Sequence, residues 1–144
     1  MMDKKYTGSV ADVDRLLHEL LIGTSVESFG VSLTTPFIDF RDTNADEIIH
    51  LHFDADIVFY PSSRCQLTKE ELMLVGMNSI HLKRVVKVNC TDSYDLEIQL
   101  EGGTWFKICG DADGYEPWRI SKGLGKVFIE PYLGGGGCAI WAEE

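Results

Sequence analysis

The stretch Tyr94-Asp95-Leu96-Glu97-Ile98-Gln99-Leu100-Glu101 alternates apolar and polar residues without a fault. A period of two belongs to extended chain, whose successive side chains point to opposite faces. The segment therefore predicts a strand with one buried and one wet face, as in an antiparallel sheet. Its apolar face needs neighbours and cover. Ile80 to Cys90 supplies the first neighbour: Ile80, Leu82, Val86, Val88 and Cys90 share one face, with Arg84 out of place, and His81, Lys83 and Lys87 take the other. Antiparallel pairing would set these lysines across from Asp95, Glu97 or Glu101. Glu101-Gly102-Gly103-Thr104 predicts a hairpin into a third strand, Trp105 to Cys109.

The same reading predicts strands over Val26 to Leu33, Phe37 to Asp42, Glu47 to Phe53, Ile57 to Tyr60, Glu116 to Ser121, Lys126 to Glu130 and Cys138 to Ala142. Two segments carry helical punctuation. Val10, Val13, Leu16, Leu17, Leu20 and Leu21 recur at helical spacing between Ser9 as N-cap and Gly23 as stop. Thr68-Lys69-Glu70-Glu71 is a capping box opening a second helix, Leu67 to Val75, with Leu67 and Leu72 at staple positions and Gly76 as its end. The expected fold class is α+β: a largely antiparallel sheet or sheets with two covering helices, in a single domain spanning residues 1–144. Two readings of the order of elements stand side by side: a degenerate internal repeat, with Leu21-Ile22-Gly23 and Leu74-Val75-Gly76 as corresponding points and a short insertion near Thr34 to Asp42, or the general likeness of any two stretches that run from helix into meander.

The chain has 144 residues, 13 Lys+Arg and 23 Asp+Glu, for a formal charge of -10. Neutralising many phosphates takes clustered basic residues, so nucleic acid is not the expected partner; the same field repels anionic lipid. The start resembles no signal peptide, and no apolar run approaches the ~20 residues of a membrane helix, so a cytoplasmic protein without a membrane partner is expected. Cys65, Cys90, Cys109 and Cys138 form no CxxC and read as reduced, mostly buried thiols.

Few residues are spaced for chemistry. His50 and His52 lie two apart in a strand, on one face with Asp54, and an HxH pair can give two metal ligands; exposed polar histidines are the alternative. Asp54-Ala55-Asp56 and Asp111-Ala112-Asp113-Gly114 resemble pieces of calcium loops but lack the twelfth-position Glu, and read as turns. Gly134 to Gly137 has no Lys-Ser/Thr after it, so it is a connection rather than a phosphate loop. Cys65 beside Arg64 is read as structural rather than as an activated thiol. No GxSxG, HExxH or paired-carboxylate motif occurs, so neither catalysis nor a cofactor is expected. Asp111 to Arg119 joins acids, two aromatics and an Arg. It defines the expected partner-binding set Asp111, Asp113, Tyr115, Glu116 and Trp118, with a core Trp118 on a solvated acidic turn as the alternative.

The hairpin Leu96 to Ile108, the run Gly114-Tyr115-Glu116-Pro117-Trp118-Arg119-Ile120 and the ending Gly134-Gly135-Gly136-Gly137-Cys138-Ala139-Ile140-Trp141 resemble a set of small bacterial β-rich proteins. Some of these are thought to be immunity proteins of toxin systems. The resemblance covers mainly residues 76–141, and Pro117 departs from its pattern. It implies a non-enzymatic module whose partner is a basic protein, specifically an inhibitor of a cationic toxin such as a nuclease. The rivals are a small ligand- or metal-binding domain using His50 and His52, and a small hydrolase whose site the sequence hides.

Overall fold

A computed structural model describes residues 3–42, 44, 46–62, 66–110, 117–123, 127–131 and 138–143. Strand β1 (Asp3–Gly8) leads into helix α1 (Val10–Leu21). Ser9 caps that helix reciprocally: its hydroxyl accepts from the Asp12 N–H at 3.2 Å, and the Asp12 carboxylate accepts from the Ser9 N–H at 3.1 Å. These bonds hold the Asp12 carboxyl below its ordinary pKa. The helix buries Val13, Leu17, Leu20 and Leu21, each contributing about 1.5–3 kcal/mol against exposure.

An antiparallel meander follows: β2 (Ser25–Ser32), β3 (Thr35–Asp42) and β4 (Glu47–Phe53). After a bend at Asp54 to Asp56 come β5 (Ile57–Tyr60) and helix α2 (Lys69–Ile80). A second meander comprises β6 (Val85–Cys90), β7 (Leu96–Leu100) and β8 (Trp105–Ile108), with a 3-10 turn at Glu101–Gly103. The chain closes with β9 (Trp118–Lys122), β10 (Val127–Pro131) and β11 (Cys138–Glu143). Two antiparallel sheets result, a seven-stranded one in the order β1-β11-β10-β9-β4-β3-β2 and a four-stranded one in the order β5-β8-β7-β6.

A main-chain seam joins the sheets where the edge of β2 meets the entry to β6: Gly23 N–H donates to Val85 C=O, Val85 N–H to Thr24 C=O, Val26 N–H to Lys83 C=O and Leu82 N–H to Val26 C=O. The bend between β4 and β5 is tied by the N–H groups of Asp54 and Ala55, both donating to Pro117 C=O in continuation of the β4–β9 pairing. One hydrophobic cluster fills the space between, including Leu17 and Leu21 from α1, Met77 and Ile80 from α2, Phe40, Leu51, Ile98, Phe106, Trp118 and Ile120.

The α+β class, the antiparallel strands and the two helices agree with the sequence reading; three local details differ. Helix α2 runs through Gly76 to Ile80 instead of stopping at the glycine, because Gly76 faces the Phe59 ring and is needed there for closeness rather than for a turn. Strand β6 begins only at Val85, and a bulge between Val85 and Lys87 reverses the parity: Val85, Val88 and Cys90 are buried while Val86 is exposed. The cation opposite Glu97 is consequently Lys107 of β8, and Lys87 stands across from Gln99. The strand β1 was not expected from the sequence.

A Cβ on Gly76 would lie 2.1 Å from Cδ2 and 2.4 Å from Cγ of the buried Phe59 ring. Gly76→Ala, although favoured by helix propensity, is expected to destabilise the fold by about 1–3 kcal/mol through overpacking, measured by urea unfolding.

Candidate functional site

The structure separates the residues that the sequence groups together. Trp118 is 1% exposed in the core and its Nε1–H donates to Tyr94 C=O at 2.8 Å. It is the core tryptophan of the alternative reading, not a surface anchor, because it shares the inner face of β9 with Ile120, against the hydrophobic cluster. Asp111, Asp113, Tyr115 and Glu116 lie outside the described residues, as do Gly134 to Gly137, Arg64 and Cys65.

His50 and His52 do share the outer face of β4, with ring centroids 6.4 Å apart. Each has its own company. His50 Nδ1 lies 2.9 Å from Asp39 Oδ1 on β3, and the other Asp39 oxygen accepts from Ser28 on β2 at 3.3 Å. His52 stacks obliquely on Phe37 and stands across from Arg119. Burial, and then the Arg119 charge, push the His52 pKa below its ordinary value. Among the described residues no group of three or more His, Cys, Asp or Glu side chains is arranged to hold a metal ion. Ser121 faces His50 in register across β9, but no hydrogen bond joins the two side chains among the described residues.

Of the three cysteines among the described residues, Cys90 and Cys138 are buried, Cys109 is half-buried, and all three are free. Burial pushes both the Cys90 and the Cys138 thiol up to about 12, which keeps these two protonated at neutral pH.

A cleft of about 650 Å³ lies between α2 and β5. Its floor is apolar, built from Phe53, Ala55, Ile57 and Phe59 on one side and Leu72, Met73 and Gly76 on the other, with Thr34 and Pro36 from the β2–β3 hairpin at one end. The closeness of Gly76 to Phe59 sets where α2 sits against β5. The rest of the helix surface stays uncovered: Leu72, Leu74 and Val75 are 37%, 38% and 46% exposed. Asp54, Asp56 and Glu70 stand exposed among the lining residues, and the one lysine there, Lys69, is paired with Asp56. The Asp54-Ala55-Asp56 turn seen in the sequence is thus part of the cleft. The cleft itself escapes sequence reading because it is made by packing between elements far apart in the chain.

On the outer face of the four-stranded sheet, Tyr60 stacks on Trp105 with centroids 4.0 Å apart. Beside Trp105 a shallower hollow of about 360 Å³ is lined by Lys87, Asn89, Glu97, Ile98 and Gln99. Compared with protein-family models, curated proteins and solved structures, the chain has no match in any of the three.

Two outcomes follow from the buried groups. Trp118→Phe removes both volume and the donor to Tyr94 C=O, and is expected to cost about 2–4 kcal/mol in chemical unfolding. His52 has a folded pKa below its unfolded one, so the folded state resists a proton that the unfolded chain accepts. Stability is therefore lost as pH falls through the ordinary histidine value towards the folded one. Melting curves recorded from pH 7.5 down to about pH 5 should show a smaller loss for His52→Gln than for the unmodified chain.

Proposed function

We propose that this chain is an acidic, non-enzymatic protein-binding module that acts as an immunity-type inhibitor of a cationic bacterial toxin, such as a nuclease, in the cytoplasm. One observation carries the reading: an apolar cleft with an acidic rim, on a chain whose formal charge is -10. The field of such a chain raises the encounter rate with a basic protein and repels acidic ones. The apolar floor supplies area whose desolvation retains the partner once it has arrived. The histidine face offers less to a metal, since His50 and His52 are engaged with Asp39 and with Phe37 and Arg119 respectively.

The gene beside this one provides the test. An immunity protein is expected next to a gene for a basic protein that stops growth when expressed alone, and co-expression of this chain should restore growth through a direct complex. A neighbour that is harmless, or whose toxicity this chain leaves unchanged, overturns the reading.

Within that complex, Asp54→Asn, Asp56→Asn and Glu70→Gln together are expected to slow association several-fold at low salt and to flatten its salt dependence. The companion set Asp111→Asn, Asp113→Asn and Glu116→Gln, measured by the same stopped-flow assay, tells which group of acidic residues does the steering.

A further inference from the structure

The cleft has a wall that can do more than bury apolar groups. Among the described residues, strand β5 is an edge of the four-stranded sheet, paired with β8 on one side only. Which of its backbone groups point into the cleft follows from parity. Cys109 N–H donates to Asp56 C=O at 2.9 Å, and the register carries this pairing on through Ile57 with Ile108, Val58 with Lys107, Phe59 with Phe106 and Tyr60 with Trp105. In an antiparallel pair, hydrogen-bonded and non-bonded positions alternate. Asp56, Val58 and Tyr60 are therefore directed at β8, while the N–H and C=O groups of Ile57 and Phe59 face away from it, along the side of the cleft. No hydrogen bond satisfies these groups among the described residues.

We infer that the cleft receives an extended segment of the basic partner, which adds to the free edge of β5 as a further strand and lays alternate side chains between β5 and α2. The inference rests on the proposed function for the identity of the partner. An extended peptide is the one occupant that uses both features: its main chain pairs with Ile57 and Phe59, and every second side chain meets the apolar floor at Leu72 and Met73. Charge selects its composition. Asp54, Asp56 and Glu70 outnumber Lys69, which Asp56 already holds, so the residues between the apolar ones are basic. The same charges argue against a second copy of this chain, because edge-to-edge pairing would bring two acidic rims together on two chains of charge -10.

The probe is a short end-blocked synthetic peptide of alternating lysine and valine, titrated into the full-length ¹⁵N-labelled chain. Two controls have the same composition: one with the lysines and valines in separate blocks, one N-methylated on alternate residues so that one edge cannot donate. At saturation, amide exchange at Ile57 and Phe59 is expected to slow at least about tenfold, with Val58, already bonded to β8, unchanged. Leu72→Lys, at an exposed position, should weaken binding about tenfold or more, and both controls should bind correspondingly less well. Equal binding of the block peptide, or protection spread evenly along β5, means charge attraction alone and overturns the inference. Concentration-dependent dimerisation that protects the same two amides without peptide overturns it too, in favour of a second copy. Should Leu72→Lys disturb the fold, the alternating protection in the unmodified chain still decides. The two readings fail separately: a toxic neighbour that is inhibited while Ile57 and Phe59 stay unprotected in its complex removes the edge-strand inference and leaves the inhibitor, whereas a chain that binds no toxic neighbour removes the inhibitor whatever the peptide does.

Discussion

A short line of main-chain hydrogen bonds binds the two sheets to each other where residues 23–26 of β2 and its approach meet residues 82–85 before β6. At the far end of β4, where the chain passes from one sheet towards the other, Pro117 C=O accepts from Asp54 and Ala55 and carries the β4–β9 pairing up to the bend. These bonds hold the inner faces of the seven-stranded and four-stranded sheets where they cover each other, with α1 and α2 adding to the cover. With them, Phe40 and Leu51 of one sheet and Ile98 and Phe106 of the other share a single cluster with Leu17, Met77 and Trp118. Main-chain bonds of this kind leave each side chain free to be chosen for packing, and the buried side chains among the described residues are almost wholly apolar, with Thr24 and Thr104 as polar exceptions.

The cleft is a by-product of the same arrangement. Because β4 bends at Asp54 to Asp56 and continues as β5 in the other sheet, β5 ends up as an edge. Helix α2 covers it only as far as the Gly76 contact with Phe59 allows. The helix is held by its last turns, Met77 and Ile80, while its middle keeps Leu72, Leu74 and Val75 partly in solvent. Leu72 and Val75 line the cleft, so their exposed apolar surface adds to its floor, while Leu74 lies outside the cleft.

Much of the fold was legible because local patterns here agree with the tertiary structure. The helix starts at Ser9 and Thr68 are written as capping boxes and both form; the faultless alternation at Leu96 to Leu100 is a strand with residues 96, 98 and 100 buried. The misreadings share a cause. Arg84 looked out of place because the chain bulges after Val85, and a bulge shows in sequence only as a broken period. Tyr94 completes the alternation on paper, yet its φ of +62° makes it a turn residue, and its carbonyl is occupied by Trp118 from 24 positions away. Gly76 was read as a stop because a glycine needed for close approach and one needed for a turn are the same letter. The site was less legible than the fold. The acids at 54 and 56 were visible, but their meaning depends on Leu72 and Phe59 being brought beside them, and that is a long-range event with no local signature.

The buried thiols give the molecule a built-in report of its own breathing. Cys90 and Cys138, held protonated by burial with values pushed up to about 12, react with an electrophile only from conformations in which β6 or β11 has left the core. A slow electrophilic reagent would therefore count opening events in the way that amide exchange does, strand by strand. The half-buried Cys109, one residue beyond β8, would register the shallower fluctuations of the sheet that carries the edge. The ratio of the two labelling rates would then separate loosening near the cleft from loss of the common core, using no group that the chain does not already possess.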